Sequence, residues 1–173
     1  MTVTTRELID EFLAQKRLAL VGVSHDPKDF SRNMFRELTR RGYDMVPVNP
    51  NLTEVDGALC FDCLQDVAPA VAGALVMTPP DQTEQVVRDC AEAGIKRVWL
   101  HRGVGTGAVS RDAVDFCDDH GLSVIAGYCP YMFLDDTPAF HRVHRFFFKL
   151  TGRYPSGSAA SKAKRESGVG SRE

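Results

Sequence analysis

Short runs of continuous apolar residues alternate along this chain with longer stretches in which apolar residues recur every three or four positions. Thr4 to Gln15 puts Leu8, Ile9, Phe12 and Leu13 on one helical face, and Thr4 and Glu7 have the spacing of a capping box. Leu18 to Val23 is uninterrupted apolar sequence, as in a parallel strand buried on both faces. A polar loop, 24–30, leads to a helix that starts near Ser31, buries Met34, Phe35 and Leu38, and ends at Gly42, a favoured residue after a helix. The pattern then gives a strand over Asp44–Val48, a short extended piece and turn over Leu59–Leu64, and a strand over Ala72–Met77. A helix follows over Asp81–Ala93, then a strand over Arg97–Leu100, a helix from Ser110 to His120 and a strand over Leu122–Ala126. A last helix, rich in His and Phe, is expected over Thr137–Leu150.

The five strands begin 23 to 29 residues apart, the length of one strand, one helix and two loops. This alternation argues for an α/β fold: a doubly wound, parallel five-stranded sheet with helices on both faces. Right-handed crossovers then gather the strand-to-helix loops at one edge, where ligands bind near the point at which strand order reverses. The residues to inspect therefore follow Val23, Val48, Met77, Leu100 and Ala126. Arg17 to Gly42, strand plus loop plus helix, reads as the first turn of a nucleotide-binding unit.

The length of 173 residues suits one domain, expected over 1–151, with a disordered Ser-, Gly-, Ala- and Lys-rich tail over 152–173. The tail carries a net charge of +3 within a chain total of −2, so the body is near −5 and lacks the basic field of a nucleic-acid binder. No apolar run is long enough to span a membrane. Five scattered cysteines fit reduced thiols in a cytoplasm better than a disulfide framework.

In the first loop, Gly22 lies where a backbone must approach a ligand closely, and Ser24 offers a hydroxyl. Ser31 is placed to cap the helix whose free amides and dipole favour phosphate. Arg32, a cation in a first helical turn, opposes that dipole by about 0.3–1 kcal/mol unless an anion sits there; Lys28 could add a second charge. The loop is not G-x-G-x-x-G, and the second strand ends in Asn49-Pro50 without an acid for a ribose hydroxyl, which argues against a standard NAD site.

VGVS at residues 21–24, Ser31, VNPN at 48–51, Pro79-Pro80 and Trp99-Leu100-x-x-Gly103 occur in this order at or just beyond strand ends. Together they resemble the CoA-binding protein family, which is similar to the CoA-binding domain of the succinyl-CoA synthetase α subunit. The resemblance covers roughly Leu18 to Pro130 and implies a Rossmann-like domain that binds CoA or acyl-CoA through its phospho-ADP portion. By that resemblance Gly22, Val23, Ser24, Ser31 and Arg32, with Lys28, would hold phosphates, and Asn49 and Pro50 would line the adenosine end. Thr78, Pro79 and Pro80 would wall the groove, His101 to Gly103 would border the diphosphate or pantetheine, and Cys129-Pro130 resembles an Asn-Cys-Pro turn of the synthetase. His101-Arg102-Gly103 departs from a Gln-rich version, and Arg32 lies one position from the usual basic residue. The synthetase's phosphohistidine lies in a second domain that a chain of this length does not hold, so the resemblance does not by itself imply synthetase activity; the expectation is a binding module, with no catalytic residue named.

Other residues leave alternatives open. Cys60 and Cys63 have C-x-x-C spacing, but no second pair completes a metal site. Cys129 could meet the reactive end of a bound CoA in an acyl-CoA-handling enzyme, or pack as a buried thiol. A nucleotide-dependent oxidoreductase or redox sensor with a non-standard NAD(P) site is the other enzyme reading. His141 and His144 share a helix face with an apolar stripe beside it, so the 137–150 helix can dock on the sheet or on a second copy of the chain. Asp135 and Asp136 are neighbours that form no oriented acid–base pair.

Overall fold

The computed structural model describes residues 4–103, 105–134 and 155. Helix α1, Thr5–Leu13, opens on a capping box in which Thr4 and Glu7 satisfy each other's backbone donors. Strand β1, Arg17–Val21, leads to α2, Phe30–Arg40, and then to β2, Asp44–Val48. Two-residue strands β3, Glu54–Val55, and β4, Ala58–Leu59, pair in a hairpin. Then come β5, Gly73–Val76, α3, Pro80–Glu92, β6, Arg97–His101, α4, Arg111–Asp119, and β7, Ser123–Tyr128. The expected 137–150 helix and 152–173 tail lie outside the described residues.

The main sheet is parallel, in the order β2-β1-β5-β6-β7. Its sides follow from the two-residue period of each strand. Leu18, Leu20 and Trp99 face a core completed by Ile9, Phe12, Met34, Phe35 and Leu38 from α1 and α2. Ala19, Val21, Val98 and Leu100 face the opposite core, built with Val86, Val87 and Cys90 of α3 and Ala113 and Cys117 of α4. Gly73 lets α1 approach, because a Cβ there would lie 2.9 Å from the Phe12 ring. The Phe12 ring meets Trp99 edge-on, with centroids 5.3 Å apart.

Two local features differ from expectation. The cap of α2 is Asp29, whose carboxylate accepts the Ser31 N–H at 2.8 Å. An anion suits this helix end better than a hydroxyl, and the Ser31 hydroxyl instead accepts the Ser24 N–H at 2.9 Å. The β3–β4 hairpin turns on Asp56-Gly57, both at positive φ, a pairing that two-residue hairpins favour. Beyond it, Phe61 pairs in parallel with Val48, covering part of the β2 edge.

Phe12→Ala is expected to destabilise the chain by about 3–5 kcal/mol, because it removes the buried ring by which α1 packs on Trp99 and leaves a cavity. Leu59→Ser, at a mostly exposed position, should change stability by under about 0.5 kcal/mol. Urea unfolding followed through the buried Trp99 reads both.

Candidate functional site

Strand order reverses between β1 and β5: the crossover from β1 to β2 carries α2 on one face, and the chain returns across β1 to β5, from which α3 leaves on the other. In doubly wound sheets this reversal opens a crevice at the carboxyl ends. Here it holds a cavity of about 490 Å³. Gly22, Asn49 and Pro50, and Thr78 line it from the ends of β1, β2 and β5 respectively.

The wall between β1 and β5 is tight. Gly22 has φ +87°, and a Cβ there would stand 2.8 Å from the Thr78 backbone nitrogen and 2.8 Å from its Cγ2. Any other residue would be strained at this φ and would push Thr78. Thr78 is held in turn by its hydroxyl, 3.2 Å from that of Thr83. Asn49 closes the β2 side: its Nδ2 donates to the Val23 carbonyl at 2.7 Å, and its Oδ1 accepts the Asn51 N–H at 2.8 Å.

The remaining wall is polar and acidic. Asp81, Gln82, Gln85 and Asp89 come from one face of α3, and Asp62 and Cys63 from the segment after the hairpin. Among the described residues, three carboxylates and no Lys or Arg line the cavity.

The loop after β1 lies on the α2 side of this crevice. Ser24 is tied to Ser31 as described, Lys28 is exposed, and Val23 is fully buried under α2. Arg32 is 8% exposed. Its Nη2 lies 2.7 Å from Asp56 Oδ1, its Nη1 donates to the Ser24 carbonyl at 3.3 Å, and Arg36 Nε reaches the same carboxylate at 2.9 Å. The hairpin thus delivers an anion of the chain's own to the cation in the first turn of α2. Hydrogen bonding from Arg32 holds the Asp56 carboxyl below its ordinary value, and Arg32 is raised by the same bond. Farther along α2, hydrogen bonds from Arg40, with Arg41 beside it, pull Glu37 down to about 2.

These arrangements belong to a recognisable group. A family model for the CoA binding domain matches residues 16–135, more than two thirds of the chain. The chain belongs to the CoA-binding domain family. It is 26% identical over 129 residues to the α subunit of acetate–CoA ligase [ADP-forming] II from Pyrococcus furiosus, a match covering 70% of this chain and 28% of that subunit. The chain therefore corresponds to under a third of that relative's length. It is also 25% identical over 114 residues to the uncharacterized protein YneT of Bacillus subtilis, covering 66% of this chain and 82% of YneT. Among solved structures, a hypothetical protein from Pyrococcus horikoshii superposes with a TM-score of 0.67 at 27% identity, over 74% of this chain and 87% of that one.

Of the expected contact residues in this family member, Gly22, Asn49, Pro50 and Thr78 share the cavity. Pro79 and Pro80 are exposed at the start of α3, as its cap and first residue. His101 ends β6, buried, with Gly103 beside its ring. Cys129 is 2% exposed and packs in the α1–α2 core; burial pushes its thiol up to about 11. The acidic wall escaped sequence reading. Residues 81, 82, 85 and 89 do keep helical spacing beside the Val86–Val87 core, so the α3 portion carried a signal; Asp62 and Cys63 reach the cavity only through the hairpin's path. Among the described residues no cluster of metal-ligating side chains occurs, and no helix is long and apolar enough to cross a membrane.

Gly22→Ala should lower stability by about 1–3 kcal/mol, read as a shift in the urea midpoint. Asp56 and Glu37 have folded values below their unfolded ones, so the stability they lend is complete above the ordinary carboxylate range, near 4, and is lost as pH falls through the folded values, that of Glu37 being about 2. Urea midpoints measured from pH 7 down to pH 2.5 should therefore fall. Asp56→Asn should lower the pH 7 midpoint by the equivalent of about 1–2 kcal/mol and flatten part of that acid slope.

Proposed function

We propose that this chain binds CoA or an acyl-CoA at the carboxyl edge of the sheet, with the adenosine in the β1–β2–β5 crevice and the phosphates towards the start of α2. The observation that carries this reading is the crevice itself: a cavity at the point of strand-order reversal, in a member of the CoA-binding domain family. The ligand class named for the Pyrococcus furiosus relative agrees with it.

Charge decides the orientation. Carboxylates of Asp62, Asp81 and Asp89 accept hydrogen bonds from the adenine amino group and the ribose 2′-hydroxyl but repel phosphate, so the ribose 3′-phosphate and the diphosphate would point away from this wall. Cations occur instead on the α2 side, at Lys28, Arg32 and Arg36. Phosphate contacts by Gly22, Val23, Ser24, Lys28, Ser31 and Arg32 would use the loop's backbone and Lys28 directly, while Arg32, paired with Asp56, would brace the loop through the Ser24 carbonyl. Asn49, Pro50 and Thr78 would hold the adenosine, Pro79 and Pro80 the groove's outer lip, and His101 and Gly103 the far side.

Two features favour this reading over the enzyme alternatives. Asn49 stands at the end of β2, where an NAD site would place an acid. Cys129 is buried and protonated at neutral pH, so it offers no thiolate to an acyl group. The five cysteines are all free, which suits a reducing cytoplasm.

Thermal-shift titrations with CoA, acetyl-CoA, NAD and NADP test the assignment. CoA or acetyl-CoA should raise Tm with concentration, equivalent to about 2.7 kcal/mol at a hundredfold excess over Kd, and NAD should not. Cys129→Ser should keep the response. Stabilisation by NAD with none by CoA would overturn the reading.

A further inference from the structure

We infer that Phe30 is a ligand-contact residue, the wall against which the pantetheine arm of a bound CoA lies as it leaves the adenosine crevice. The inference rests on the CoA reading and extends it to a residue outside the motifs that led there.

Phe30 is the first residue of α2, directly after the Asp29 cap. Burial there is incomplete: its side chain remains 37% exposed, and Phe30 and Leu59 are the exposed large apolar residues among those described. Its position is nonetheless fixed. The ring centroid lies 5.3 Å from that of His101, tilted by 34°, and 5.7 Å from that of Tyr131, edge-on at 88°. The Tyr131 hydroxyl also donates to the Asn33 carbonyl of α2 at 3.1 Å. The first side chain of α2 is thereby braced on the end of β6 and on the turn after β7.

In the sheet, β5 lies between β1 and β6. The contact from Phe30 to His101 therefore crosses above the end of β5, whose continuation, Thr78, walls the crevice. A CoA with its adenosine between β1 and β2 directs its other half along the carboxyl edge towards β6, and reaches this ring pair. The arm is uncharged, with a dimethyl carbon, methylenes and two amides. A half-exposed aromatic face buries such CH groups at little entropic cost, since the ring is already held. Gly103 lies beside His101, and a Cβ there would make only an ordinary contact with the imidazole, 3.4 Å from Cε1.

Calorimetric titration of the full chain with CoA and with adenosine 3′,5′-bisphosphate, which lacks the arm, tests this. Phe30→Ala should weaken CoA about tenfold and change the bisphosphate by less than about twofold. Phe30→Gln, tolerated in a first helical turn, should give the same split if the alanine variant folds poorly, and Phe30→Tyr should bind CoA as wild type does. Equal weakening of both ligands, or unchanged CoA binding, would overturn the role of Phe30 while leaving the CoA reading standing. Failure of the wild-type chain to bind CoA would overturn both.

Discussion

A parallel sheet whose winding direction reverses cannot close over its own middle. From β1 the chain moves outward to β2 through α2, and after β2 it returns across β1 to β5, from which α3 departs on the opposite face. Each helix covers its own face, and neither can fill the gap between the two loops that diverge at the carboxyl ends of β1 and β5. The crevice beside Gly22 and Thr78 is the consequence, and the rest of the structure either builds this reversal or trims its opening.

Trimming is done by short polar ties between loops. Asn49 fixes the end of β2 to Val23, Ser31 fixes the end of α2 to Ser24, and Asp56 brings the hairpin onto Arg32 and Arg36. Each tie satisfies a donor that would otherwise face an incompletely covered edge. The charges divide accordingly, with carboxylates inside the crevice and cations across the β1 loop on the α2 side. A ligand with a neutral base for the crevice and its phosphates gathered towards α2 suits this division better than one that is anionic throughout.

Much of this was legible in the sequence. Uninterrupted apolar runs mark strands buried on both faces, and the 3.6-residue period between them marks the covering helices, so the five strands fall where their patterns put them. Asp56-Gly57 carried the signal of a two-residue hairpin turn, yet its flanking strands are too short to show alternation. The cap of α2 was read two residues late because Ser31 and Asp29 are both good caps, and the choice rests on which oxygen reaches the free amides. Arg32 was read as a pointer to a bound phosphate; the structure pairs it with Asp56, 24 residues away, a partner not visible in the sequence because nothing local links Asp56 to α2.

The sequence by itself determined the elements, their order and the edge at which ligand loops gather, because these follow from periodicity and from the handedness of crossovers. Only the tertiary structure decided which loop residues share a cavity, that its wall on α3 is acidic, that Cys129 is sealed in the core, and that Phe30 spans the end of β5 to meet His101. Those facts depend on side chains brought together from distant positions by packing, and contact between them obeys distance in space rather than spacing along the chain.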